Sequence, residues 1–206
     1  MNWQDLIETQ PALALIPAVL MQVAKYQEVK AGEILFRLGV RPQSIFYVIT
    51  GEVRLLRRTR NGNEIILQRS TDGFIAEASA DAQAYHCDAV VTTAGAVLCL
   101  PMQAFKATLA NDNAFHQAWA THLAWEVRKL RARCERLSLN TAAERIIHYI
   151  EAEGINGSII LNQSRKAWAA ELGLTHEAMY RTLRQLQADG VLKIDQNQNF
   201  PKLSLL

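Results

Sequence analysis

Five side chains recur at helical spacing near the C-terminus: His176, Glu177, Tyr180, Arg181 and Arg184. On a helix they share one face. Arginine carries a rigid fork of donors and glutamate accepts, so the set suits base edges and phosphates rather than bond-breaking chemistry. Catalytic signatures are missing elsewhere, with no nucleophile elbow, phosphate-cradling loop, HExxH or spaced carboxylate pair. No catalytic residue and no metal ligand set is expected.

The elements that must hold this face are local. Ser164 is an N-cap for a first helix through Trp168, Ala169 and Leu172, and Gly173 ends it with the residue that best tolerates a left-handed cap. Leu174 fills the corner and Thr175 caps a second helix, on which Met179, Thr182, Leu183 and Leu186 face inward. This is the layout of a helix-turn-helix, whose second helix enters the major groove of DNA. Any pair of packed helices can carry a polar outer face. The C-terminal stretch adds to the DNA reading: Val191–Ile194, the polar run DQNQN, and Leu203–Leu205 read as a β-hairpin wing.

Composition sets bounds. At 206 residues, half of them hydrophobic, the chain can bury one large or two small cores. The longest apolar run, Pro11 to Ala24, contains Pro17 and is too short to span a bilayer. An acidic N-terminus (Asp5, Glu8) is no secretory signal, so no membrane partner and a cytoplasmic location are expected. Cys87, Cys99 and Cys134 are too scattered for a cysteine-only cluster. From Leu139 onward seven basic residues balance seven acidic ones, so charge neither supports nor opposes DNA binding.

Asn2 to Lys25 reads as one helix, with Leu13, Ile16, Leu20 and Val23 on its apolar face. From Glu28 to Pro101 the texture is β. Strands are expected at Ile34–Phe36, Ile45–Ile49, Val53–Leu56, Ile65–Leu67 and Val97–Leu100, with turns at Gly32, Gly39, Gly51 and Gly73 and a hairpin at Asn61-Gly62. Between Asn111 and Ser138, Leu123, Val127, Leu130, Cys134 and Leu137 recur at heptad spacing, with charges, among them Arg128, Lys129, Arg131, Arg133 and Arg136, on the other faces. That is a coiled-coil seam, although one amphipathic helix can also pack on its own domain. Thr141 to Glu144 spells a capping box that opens a new helix and marks a hinge.

AGEILFRLG, IFYVITGEVRLL and NGNEIILQR, together with LGLTHEAMYRTLRQL, resemble the bacterial cyclic-AMP receptor protein/fumarate–nitrate regulator (CRP/FNR) superfamily of transcription factors. The resemblance implies an α+β fold: a cyclic-nucleotide-binding-like β-roll over 1–110, a dimerisation helix over 111–138 and a winged helix-turn-helix over 139–206. It implies a homodimer paired through the seam. It also places an effector pocket around Glu77, Ala78, Ser79, His86, Cys87 and Asp88. Glu77 matches the family's ribose glutamate, but Ala76 replaces the glycine before it, and His86, Cys87 and Asp88 stand where the phosphate-binding arginine belongs. Arg69, the nearest arginine, lies outside the motif. A buried phosphate without a cation is costly, so cyclic AMP and cyclic GMP are not expected. Family members that carry an iron–sulfur cluster use N-terminal cysteines, and none precedes Cys87 here.

His86 and Cys87 invite a haem reading, since imidazole and thiolate both bind iron, but neighbours on a strand point to opposite faces. No cofactor is expected. A redox role for Cys87 or Cys134 competes with ordinary packing.

The expected function is a homodimeric DNA-binding transcriptional regulator, not an enzyme, controlled by an unidentified small molecule or by abundance. The alternative is a small-molecule, haem or redox sensor acting through protein contacts. Glu177 and Arg181 match the family's base-reading pair, and imply a TGA-like half-site in an inverted repeat. His176 stands where the cyclic-AMP receptor protein has another base-reading arginine, and Tyr180 where the fumarate–nitrate branch has serine. Arg184 suits phosphate. Arg54, Arg57, Arg58 and Arg60 flank the Asn61-Gly62 turn as a solvated edge or, by family analogy, a contact for RNA polymerase.

Overall fold

The computed structural model describes residues 2–61, 64–161, 163–196 and 201–206. The chain divides into two compact units, Met1–His122 and Leu123–Leu206.

The first unit opens on short helical pieces rather than the single helix expected. Helix α1 (Trp3–Thr9), a 3-10 turn (Pro11–Leu15) and α2 (Ala18–Met21) are separated where Pro11 and Pro17 withhold backbone donors. Leu13, Ile16 and Leu20 are buried as expected, but Val23 lies outside. Six strands come next: β1 (Lys25–Val29), β2 (Ile34–Phe36), β3 (Ser44–Arg58), β4 (Glu64–Ser70), β5 (Gly73–Ile75) and β6 (Asp88–Pro101). They pair antiparallel in the order β1-β6-β3-β4, with β2 also on β6 and β5 on β3. The second residue of the expected Asn61-Gly62 turn lies outside the described residues; the strands on either side pair as expected.

Two expected strands, 45–49 and 53–56, are one. Gly51, expected as a turn, lies inside β3 at φ +86°, where the β3–β6 register shifts. The strand bends there without ending. A Cβ on Gly51 would meet the Thr93 carbonyl oxygen at 2.5 Å, and one on Gly95 would meet the Thr50 oxygen at 2.1 Å. The two backbones cross where only glycine fits.

One face of the curved sheet closes on Phe46, Val48, Val53, Leu55, Cys87 and Val91. On the other side of the unit an aromatic cluster gathers Phe105 of α3 (Met102–Asn111), Phe115 and Trp119 of α4 (Asn113–Ser138), and Phe74 of β5. Glu52 is only 7 % exposed and accepts from Arg54 Nε at 2.6 Å, Thr92 Oγ1 at 2.7 Å and Arg69 Nε. Burial is the largest influence on its carboxyl and pushes the pKa up. Hydrogen bonds from Thr92, Arg69 and Arg54 together outweigh it and hold the group below the usual range. Arg54 is therefore tied into the roll, not part of the solvated basic edge expected for it.

In the second unit α5 (Ala142–Glu153) starts at the expected capping box. Thr141 Oγ1 accepts from Glu144 N at 3.2 Å, and Glu144 Oε2 accepts from Thr141 N at 2.9 Å. Strands β8 (Leu192–Asp195) and β9 (Lys202–Leu205) pair antiparallel, and β7 (Ser158–Ile160), which sequence reading does not find, adds to β9. Asn197 to Asn199 of the polar run lie outside the described residues. Arg136 overturns its assignment to a charged outer face. It is 1 % exposed, its guanidinium lies 4.5 Å from the Tyr149 ring centroid, and Nη2 donates to Glu153 Oε1 at 2.8 Å. A cation can sit there because the ring and the carboxylate replace its water.

Close approach at Gly51 gives a paired test. Gly32 also has positive φ, +88°, but open space around its Cα. Gly32→Ala should cost only the left-handed strain, about 1 kcal/mol. Gly51→Ala adds a backbone clash and should lose at least about 2 kcal/mol more in denaturant unfolding. Equal losses would show that the crossing does not require glycine.

Candidate nucleic-acid interface

Helix α6 (Arg165–Glu171) starts where Ser164 Oγ accepts from Ala167 N at 3.2 Å. It stops before Gly173, whose φ of +65° lets Leu174 N reach back to the Ala169 carbonyl at 2.8 Å. Thr175 Oγ1 then accepts from Ala178 N at 3.1 Å and opens α7 (His176–Ala188). Ser164 and Thr175, which are also candidate DNA-contacting residues, act as the caps expected of them.

A clamp not seen in sequence holds the turn. Arg145 of α5 donates through Nε to the Leu139 carbonyl at 3.0 Å, and through Nη1 to the carbonyls of Leu172 at 3.2 Å and Gly173 at 3.4 Å. One guanidinium satisfies carbonyls left without partners where the helices end. Met179, Leu183 and Leu186 of α7 are buried in one core with Trp168, Ala169 and Leu172, and Thr182 is half-buried.

Burying that stripe turns the opposite one outward. His176, Glu177, Arg181 and Arg184 are exposed and Tyr180 is half-buried. These five, with Gln185 and Ala188, line a concavity of about 620 Å³. A second, of about 200 Å³, lies between α7 and β8 and includes Arg165, Tyr180, Arg184 and Gln196. Arg165 is a neighbour that sequence reading passes over. The only signal for it is its place directly after the Ser164 cap.

The expected effector residues fall into two groups. Glu77 and Ser79 belong to a 3-10 turn after β5, with Ala78 exposed between them. Ser79, buried, has its Oγ 3.4 Å from His86 Nδ1. Ala76, at the expected glycine position, is buried at φ +73°, a conformation that costs an L-residue about 1–2 kcal/mol. His86 and Cys87 precede β6 instead of lying on a strand, yet they do diverge: His86 is exposed and Cys87 is buried in the roll core. Asp88 turns its Oδ1 to the Leu38 amide at 2.7 Å. Burial, then the Asp88 charge, pushes the Cys87 thiol up to about 11. Among the described residues no group of three or more His, Cys, Asp or Glu could hold a metal ion, and no helix is long and apolar enough to cross a membrane.

Residues 26–112 match the cyclic nucleotide-binding domain family. Comparison with curated protein sequences gives no match. Among solved structures, FixK2 from Bradyrhizobium japonicum aligns with 89 % of this chain and 92 % of its own at a TM-score of 0.67 and 21 % identity. The c-di-GMP-responsive global regulator CLP of Xanthomonas campestris aligns over 98 % of both chains at 0.62 and 19 %. A CRP-family transcriptional regulator from Thermus thermophilus covers 87 % of this chain and 91 % of its own at 0.57 and 20 %.

The chain shares the fold of these three structures. At such identities the likeness is one of fold, and each site must be argued from this chain's own residues. Of the three residues that stand where the family resemblance calls for a phosphate-binding arginine, Cys87 is a thiol buried in one core cluster with Phe36, Phe46, Val48 and Tyr85. Tyr85 stacks on Phe36 with ring centroids 3.9 Å apart, and its hydroxyl donates to the Ser44 carbonyl at 3.0 Å, so the roll's own side chains occupy this part of its interior.

The raised pKa of Cys87 means about a hundredfold fewer thiolates at pH 8 than an ordinary thiol carries, on top of its burial. Iodoacetamide should leave Cys87 unmodified in the native protein and label it once the chain is unfolded, as read by peptide mass. Native labelling at the rate of a free thiol would show that Cys87 is accessible and reactive.

Proposed function

We propose that the chain is a homodimeric transcription regulator that reads an inverted-repeat DNA site through α7. The observation that carries this reading is the outward stripe of α7, polar and exposed, on a helix locked by its buried stripe, the Gly173 turn and Arg145. Helices α6 and α7 with strands β8 and β9 make up a winged helix-turn-helix, the second domain of the regulator; the roll is its sensor and α4 the link between them.

On this reading Arg181 donates twice to guanine O6 and N7 and Glu177 accepts from a cytosine amine. Arg184, further along the same face, holds phosphate. His176 and Tyr180 replace residues of the family's two main branches, so the outer positions of the half-site differ from theirs. Arg181→Ala should cost roughly 1–3 kcal/mol and relax choice at one base pair per half-site; Arg184→Ala should weaken all sequences alike. Selection from a random duplex pool, run with wild type and both variants, decides this. Enriched sites without two-fold symmetry, or unchanged by Arg181→Ala, would sink the reading.

Self-association through α4 supports the two-fold symmetry. Val127, Leu130 and Leu137 are 44 %, 57 % and 41 % exposed in the single chain, and Cys134 is exposed beside them at heptad spacing. Apolar side chains in such a row are stabilised by a second copy. Leu130→Asp puts a charge into that seam and should shift the protein towards monomer in sedimentation by several kcal/mol of association energy. An unchanged dimer would place the interface elsewhere.

Control passes through the roll by a ligand other than cyclic AMP, or through abundance alone. With Cys87 inside the core and Asp88 bonded to Leu38, no cation on this segment meets a phosphate. Calorimetry with micromolar cyclic AMP should give no binding heat; low-micromolar affinity would overturn this pocket assignment. Arg57, Arg58 and Arg60, exposed beside the β3–β4 turn, form a solvated edge or, by family analogy, a surface for RNA polymerase.

A further inference from the structure

Tyr180 departs from its neighbours on the outer stripe of α7. It is half-buried, and two side chains of the same surface lie against its ring. The Arg165 guanidinium lies over the ring, 5.1 Å from its centroid, and the His176 ring meets it at 4.5 Å with the planes 63° apart. A cation over the π face and an aromatic edge on the ring both favour this one orientation. The ring therefore stands fixed before any partner arrives, and binding against it costs little further side-chain entropy.

Position adds to this. Tyr180 borders both concavities, the one along α7 and the one towards β8. It sits beside Arg181 in sequence and one helical turn from Glu177 and Arg184. Those neighbours present charged donors and acceptors. Hydrogen bonding by Tyr180 is confined to its hydroxyl; the fixed ring itself offers nothing to nitrogen and oxygen atoms. The major groove edge has one apolar feature to match it, the C5 methyl group of thymine.

We propose that Tyr180 is a specificity-determining residue that reads a thymine methyl in each half-site, in the bases adjoining the Arg181 contact. The proposal rests on the DNA reading above and names what that surface distinguishes. Arg165 and His176 act as positioning residues for the ring. The Tyr180 hydroxyl is not needed for this discrimination.

The test uses the full chain and the duplex enriched by selection, with each thymine replaced in turn by deoxyuridine, which removes only the methyl. At one thymine per half-site the loss should be about fourfold, the value of one buried methyl, and about tenfold or more when both half-sites carry it. Tyr180→Phe should keep that preference. Tyr180→Ala should bind the thymine and deoxyuridine duplexes alike, with helicity unchanged by circular dichroism. Three results would overturn the proposal: every deoxyuridine tolerated by wild type, the preference surviving in Tyr180→Ala, or the preference lost in Tyr180→Phe, which would assign the hydroxyl to a phosphate or base. If wild type selects no duplex at all, the DNA reading itself fails; if it selects one but ignores the methyl, only the role of Tyr180 fails.

Discussion

The outward stripe of α7 exists because the inward one is buried. Met179, Leu183 and Leu186 pack in a core with Trp168 and Leu172, and each fully buried side chain of this size contributes about 1.5–3 kcal/mol. Rotation of α7 about its axis would expose that stripe, so the direction in which Glu177, Arg181 and Arg184 point is set by hydrophobic burial. The Gly173 turn fixes where α7 begins, and Arg145 holds the turn to the Leu139 carbonyl just beyond α4. A substitution at Arg145 would leave every proposed DNA-contacting residue in place and loosen the frame that aims them.

A related constraint shapes the roll. Gly51 and Gly95 let β3 bend past β6 without breaking, and the bent sheet wraps an apolar interior. Glu52 is the exception, a buried carboxylate kept ionised by Arg54, Arg69 and Thr92. Its arginines are spent on the fold. Cys87 and Tyr85 lie in the same apolar interior, so this roll packs side chains of its own where the family resemblance leads one to expect a phosphate-binding arginine.

The parts of the fold legible in sequence are those whose signals are local. Ser164, Gly173 and Thr175 lie within a dozen residues and each acts on its own backbone, so the helix–turn–helix geometry and its outer face can be read directly. The illegible parts depend on partners far along the chain. Strand β7 is three residues long and exists only because β9 returns to pair with it. Arg136 looks like its charged neighbours until Tyr149 and Glu153 of the next helix close over it. Gly51 reads as a turn in sequence because a glycine signals positive φ equally for a turn and for a bulge. Arg165 gives no sign of its stacking on Tyr180, which only the packing of α6 on α7 creates.

The central claim, that α7 reads DNA from the major groove, is tested most directly by methylation interference on the selected duplex. Dimethyl sulfate methylates guanine N7 in the major groove and adenine N3 in the minor groove. If Arg181 takes guanine O6 and N7, N7 methylation at one guanine per half-site should block the wild-type protein and leave Arg181→Ala indifferent, while adenine N3 methylation in the same half-site is tolerated. Binding that survives guanine N7 methylation throughout the site, or fails only on adenine N3 methylation, would contradict it.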